Sequence, residues 1–169
     1  YVESAPTATF FHRAGWRPGS RRAFGHRCHF LYAVEEGRIV GVLPLAQVKS
    51  LLFGHSLSST PFCVYGGIVA DSPAAEEALR EAACELAEEL GVGALELRNR
   101  SASGAGWPVK ELYYTFRKEI DPDDEVNLKA IPNRQRAMVR KGIKEGLLSE
   151  WDDGTERLYR VYAESVRNL

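Results

Sequence analysis

The stretch Tyr32-Ala33-Val34-Glu35-Glu36-Gly37-Arg38-Ile39-Val40-Gly41-Val42-Leu43-Pro44-Leu45 decides how the chain reads. Two apolar runs, residues 29–34 and 38–49, are rich in β-branched and aromatic side chains. Glu35-Glu36-Gly37 separates them as a short glycine-containing turn, so the pattern predicts a β-hairpin. On its N-terminal side lie Phe10, Phe11, Trp16 and Phe24, set among Arg13, Arg17, Arg21 and Arg22. Thr7 or Thr9 is suited to cap a helix there, and Pro18-Gly19 is expected to interrupt it.

On its C-terminal side Gly54 marks a turn, and residues 61–69 read as a further strand around Tyr65-Gly66-Gly67. Ser72-Pro73 is an N-cap followed by proline at the first helical position. Leu79, Ala83, Leu86 and Leu90 then recur at helical spacing before Gly91, which predicts a helix over 73–90. Short strands are expected at 94–97 and 112–116, with a Gly/Ser loop at 101–107 between them. Asp121-Pro122 opens a second helical region that Pro132 divides, leaving a longer helix over 133–145. A strand is expected at 147–151. A last helix follows, capped by Asp153 or Thr155 and carrying Leu158, Val161, Tyr162 and Val166. The order predicts an α/β (α+β) fold with a mixed, mainly antiparallel sheet flanked by the helices at 73–90 and 133–145.

Composition sets the limits. A length of 169 residues fits one domain better than two. Apolar residues at 44% and charged residues at 27% exclude a disordered tail, a collagen-like fibre and a coiled coil. No apolar run approaches the ~20 residues that span a bilayer. The net charge of -1 predicts no global attraction to nucleic acid or anionic membrane, so any such case rests on local clustering. Cys28, Cys63 and Cys84 are odd in number and widely spaced, which points to free thiols in a reducing cytosol rather than a disulfide framework. The chain starts at Tyr1 and stops at Leu169 inside the last predicted helix, so it reads as part of a longer protein.

No GxGxxG, Walker loop, HExxH or GxSxG is present. His12, His26, His29 and His55 lack metal-ligand spacing, so no metal site is expected. Residues 133–144 hold five cations, Arg134, Arg136, Arg140, Lys141 and Lys144, on about half of a helical circumference. Acidic residues are segregated at 76–89 and 121–125. Guanidinium forks grip phosphate through paired, charge-assisted hydrogen bonds. A solvated amphipathic face has the same pattern, and both readings stay open. Paired Gly66-Gly67 within an apolar run signals a bulge or close backbone approach. Glu96-Leu97-Arg98-Asn99-Arg100 places hydrogen-bonding side chains at a strand end, where α/β sites lie and where surface solvation also puts them.

Four blocks carry a resemblance: the hairpin quoted above, residues 59–68, residues 95–100 and residues 136–144. The hairpin resembles the opening hairpin of GNAT-class acyltransferases. Together the blocks resemble FemAB-family proteins, in particular the FemAB-related subgroup associated with exosortase/PEP-CTERM and exopolysaccharide systems. The resemblance implies that residues 1–169 form one GNAT-like domain, the N-terminal half of a two-GNAT-domain protein. It implies an N-acyl or aminoacyl transferase forming an amide bond on a cell-envelope acceptor, such as a peptidoglycan precursor or an exopolysaccharide-related molecule. The donor is aminoacyl-tRNA or acyl-CoA, the acceptor is sugar-nucleotide- or lipid-linked, and no resident cofactor is implied. A bipartite cleft also implies that the missing C-terminal half is a partner, and that this chain alone does not turn over. The implied location is cytoplasmic, the inner face of the membrane included. The Q/R-x-x-G-x-G/A loop that cradles coenzyme A in ordinary GNAT enzymes is absent, so these residues do not support acetyl-CoA use and the donor stays open.

The expected substrate-binding residues are Tyr65, Gly66 and Gly67, as a source of backbone donors, and Arg98, Asn99, Arg100, Arg134, Arg140 and Lys141 for an anionic moiety. No residue stands out as a general base. The competing expectation is a non-enzymatic module that binds RNA or another anionic polymer through the basic helix at 133–145.

Overall fold

The hairpin forms as its turn chemistry demands. Strands β1 (Arg27–Glu35) and β2 (Arg38–Ser50) pair antiparallel through a two-residue loop, Glu36-Gly37. Both loop residues have positive φ, 48° and 76°, the requirement of a turn whose twist matches the strands it joins. A bulge on β2 leaves Val40 between the pairs Ala33–Gly41 and Val34–Ile39. In this computed structural model residues 1–52, 54–101, 106–110 and 113–169 are described. They divide into two units, Tyr1–Glu111 and Leu112–Leu169.

In the first unit β2 also pairs antiparallel with β3 (Gly54–Ser59) and with the short β4 (Val69–Ala70). After helix α2 (Pro73–Glu89) the chain returns as β5 (Ala94–Glu96), parallel to β3. The strand order is β1-β2-β3-β5, with β4 beside β2, so the sheet is mixed and mainly antiparallel. Pro44 sits inside β2 where the partner changes, β4 facing residues 41–42 and β3 facing residues 45–50. A residue without an N–H is tolerated at such a break in the ladder. Its carbonyl accepts the Thr60 N–H at 3.2 Å.

Leu43, Leu45 and Leu57 share one face of the sheet and are fully buried against Leu79 and Ala83 of α2. Ser72 caps α2, its hydroxyl accepting from the Ala75 N–H at 3.2 Å. Gly41 lets α2 approach closely, since a Cβ there would lie 2.9 Å from Leu79 Cδ1. A 3₁₀ turn (Phe10–His12) and helix α1 (Trp16–Phe24) complete the unit. Thr9 caps the 3₁₀ turn. Pro18 and Gly19 do not interrupt α1; they lie in its first turn, where the N–H groups have no intrahelical partner and the proline ring has no helical carbonyl behind it.

The second unit holds α3 (Asp124–Ala130), α4 (Asn133–Lys144) and α5 (Glu156–Arg167). Asp123 caps α3, and Pro132 separates α3 from α4 as its fixed backbone requires. α5 ends at Arg167, with Asn168 as its C-cap. Among the described residues no helix is long and apolar enough to cross a membrane.

Among the described residues three expected strands do not form. Residues 61–68 are irregular, because Thr60 (φ 40°), Phe62 (φ 67°) and Gly66 (φ 154°) leave the extended region. Residues 113–116 and 147–151 have strand-like side chains but no partner ladder among the described residues, and Tyr113, Phe116 and Trp151 are almost wholly exposed. Leu112 lies outside the described residues, as does part of the loop expected at 101–107. Conversely, β3 forms where the sequence showed only the Gly54 turn.

The α2 seam carries the first prediction. Replacing Leu79 with Ala empties a buried site between helix and sheet and is expected to cost about 2–5 kcal/mol in denaturant unfolding.

Candidate functional site: a clasped cleft at the parallel strand ends

Because β3 and β5 are parallel, both deliver their C-terminal residues to one edge of the sheet. Ligand sites in α/β sheets favour such carboxyl ends. Just beyond the paired residues the Arg98 N–H donates to Ser59 Oγ at 2.7 Å. The Arg98 guanidinium donates to Glu96 Oε1 at 2.7 Å and to the Cys63 carbonyl at 2.5 Å. It therefore staples the loop at 60–65 to the end of β5.

The Arg98 backbone and Asn99 also grip Gly67 and Ile68. The Gly67 N–H donates to the Arg98 carbonyl at 3.1 Å, and the Ile68 N–H donates to Asn99 Oδ1 at 3.1 Å. A Cβ on Gly67 would lie 2.0 Å from Asn99 Oδ1 and 2.7 Å from its Cα, so only glycine permits this approach. Gly66, at φ 154°, lies against Thr60, whose Oγ1 would be 2.3 Å from a Cβ. The glycine pair thus serves close approach of two protein segments, and the Gly67 amide is not open to a reacting oxyanion.

His12 closes the clasp. Its Nδ1 accepts the Thr9 N–H at 3.0 Å, which fixes the proton of the neutral ring on Nε2. Nε2 then donates to the Gly67 carbonyl at 3.0 Å. Burial pushes the His12 pKa below its ordinary value, and the nearby Arg100 charge acts in the same direction. Both ring nitrogens are engaged, so His12 holds backbone rather than moving protons.

Around this clasp opens a cleft of about 640 Å³, lined by Thr7, His12, residues 67–70, Glu76 and residues 98–101. Glu76 is the carboxylate on its wall and is held by Arg80 at 2.6 Å. Arg100 is exposed; its guanidinium lies 6.0 Å from the Tyr65 ring centroid and reaches the Thr7 carbonyl at 3.5 Å. Among the described residues no carboxylate lies within ion-pair distance of Arg100. On this wall Arg98 is engaged as frame, and Arg100 is the cation whose charge no described carboxylate neutralises.

The structure therefore brings Tyr65, Gly66, Gly67, Arg98, Asn99 and Arg100 together. Arg134, Arg140 and Lys141 belong to the second unit, exposed on α4. Arg136 leaves the basic face, its guanidinium donating to the Ile131 and Lys129 carbonyls at 2.7–3.1 Å, where it closes the C-terminus of α3. Sequence reading missed His12, Thr7 and Glu76. Thr9 and His12 do have capping-box spacing, but with histidine in the place of glutamate. The three cysteines are free, and burial raises the pKa of each.

Two outcomes test the clasp. Gly67→Ala is expected to cost about 1–3 kcal/mol, because the added methyl has no room beside Asn99. For His12, the unfolded chain takes up a proton between the lowered folded pKa and the ordinary value of 6.5, whereas the folded state resists it. The contribution of His12 is therefore complete above that value and is lost as pH falls. Denaturant unfolding at about pH 5 and pH 7.5 should show a smaller acid-side loss in His12→Asn than in the parent.

No protein-family model, no curated protein and no solved structure matches this chain.

Proposed function

We propose that the chain is part of a GNAT-like, FemAB-type acyl or aminoacyl transferase, and that the clasped cleft holds the anionic portion of a substrate. The observation that carries the reading is the convergence of Arg98, Asn99 and Arg100 beyond β5 on one open cleft, with no carboxylate among the described residues paired to Arg100. The mixed, mainly antiparallel sheet flanked by α1 and α2 is compatible with that class. Either candidate donor, the aminoacyl-tRNA used by FemAB relatives or the alternative acyl-CoA, carries phosphate esters, and so do sugar-nucleotide- and lipid-linked acceptors. A guanidinium beside an aromatic face suits that shared chemistry.

Amide formation by this route needs an amine that loses a proton while an ester or thioester carbonyl gains negative charge. Holding the two reactants in line supplies much of the rate. The cleft contributes positioning, since its carboxylate and its imidazole are both engaged elsewhere. On this reading His12 and Glu76 are not the proton acceptor, and the Gly67 amide is not the oxyanion donor.

A second reading has its own observation. Arg134, Arg140, Lys141 and Lys144 are exposed on α4, and among the described residues none forms an ion pair. Such a face would bind RNA or another polyanion with affinity that falls linearly with salt on logarithmic axes.

Calorimetric titration of the chain with coenzyme A and with a uridine-diphosphate sugar tests the first reading. Arg100→Ala is expected to weaken binding by roughly 1–3 kcal/mol with an unchanged melting midpoint, as befits an exposed charge. If binding instead survives Arg100→Ala and is lost in the Arg134→Ala, Arg140→Ala, Lys141→Ala triple variant, the basic helix is the site.

A further inference from the structure

One edge strand of the first unit's sheet, β1, lacks a second ladder partner; α1 touches it at its start, where Cys28 Sγ donates to the Arg17 carbonyl at 3.7 Å. Among the described strands β1 pairs with β2 alone, so its other side presents nine residues of backbone without a ladder partner. Proteins shield such edges with prolines, lysines, bulges or short strands. β1 has none of these: its sequence is Arg-Cys-His-Phe-Leu-Tyr-Ala-Val-Glu, and the bulge of this hairpin lies on β2. Tyr32 and Val34 are 65% and 55% exposed. Beside the edge runs an apolar trench of about 230 Å³, walled by residues 30–33 of β1 and by Ala78, Leu79 and Ala82 of α2. Two alanines on that helix keep the trench open.

The charges are confined to the two ends of the strand and are opposite, Arg27 at the start and Glu35 at the finish. Both are exposed, and among the described residues neither has an ion-pair partner. Antiparallel pairing of β1 with a second β1, centred on Leu31, sets Arg27 opposite Glu35 at both ends. The same register sets Phe30 opposite Tyr32, an aromatic cross-strand pair, and Leu31 opposite its own copy. Opposite charges and aromatic pairs facing one another across an antiparallel ladder are both favourable. The strand is complementary to itself in charge and in residue pairing, as a twofold interface requires.

We propose that β1 is a dimerisation edge, on which a second copy of this chain adds antiparallel to form a sheet continuous across the two subunits. The second copy is the occupant because the terminal charges complement an inverted repeat of the same strand. A strand of any other composition would meet Arg27 and Glu35 by chance.

Sedimentation velocity of the full chain across a concentration series reads the oligomeric state, with a charge exchange to locate the contact. The parent is expected to dimerise. Arg27→Glu and Glu35→Arg, which place like charges at both ends, should each weaken the dimer about tenfold or more. The exchanged double variant Arg27→Glu/Glu35→Arg restores opposite pairs and should dimerise like the parent. Circular dichroism of the three variants confirms that each is folded, and these surface positions make loss of fold unexpected. A parent that stays monomeric throughout the series overturns the proposal. So does a dimer indifferent to the single reversals, or one that the double exchange does not rescue.

Discussion

The approach of Gly67 to the Arg98–Asn99 backbone is the constraint on which the rest of the first unit depends. Without a Cβ, residue 67 comes close enough for the Arg98 carbonyl and the Asn99 side chain to satisfy two successive amides. Buried amides left unpaired would each cost a desolvation penalty comparable to a hydrogen bond. The carbonyl of the same glycine then accepts from His12, and so fixes the N-terminal segment against the sheet. One residue thereby joins three segments distant in sequence, and the cleft is the space left beside that junction.

The sheet explains why the junction lies where it does. β2 is long enough to use β3 along one part of its length and β4 along another, and Pro44 marks the change. The chain between those partners, residues 60–68, must leave the sheet and return. The helical crossover through α2 then brings β5 in parallel to β3, so the emerging loop meets the end of β5. The arginines divide the work that follows. Arg98 is held by Glu96 and by the Cys63 carbonyl and acts as frame, whereas Arg100 keeps its charge available to a ligand.

How much of this was legible in the sequence depended on whether the signal was local. The hairpin, the α2 cap at Ser72 and the break at Pro132 rest on turn, cap and proline chemistry within a few residues, and each formed as read. The strand at 54–59 was hidden because His55-Ser56-Leu57-Ser58-Ser59 is polar for a strand, and β2 recruits it through backbone pairing that composition does not record. The runs at 113–116 and 147–151 failed in the opposite way, having strand composition without a neighbour. Within the site, Arg98-Asn99-Arg100 was legible as a polar run after a strand, and Gly66-Gly67 as a close approach. That the glycines approach Asn99 and Thr60, rather than a ligand, is a tertiary fact. His12 was illegible for the same reason, since its partner lies 55 residues away.

The central claim is that the clasped cleft, and not the surface at large, receives a negatively charged ligand. Residue-resolved hydrogen–deuterium exchange of the chain, with and without saturating coenzyme A or a uridine-diphosphate sugar, tests it directly. The account predicts slowed exchange at residues 67–70 and 98–101 with at least one of the two ligands. Unchanged exchange at both segments with either ligand, or slowing confined to residues 133–145, would contradict it.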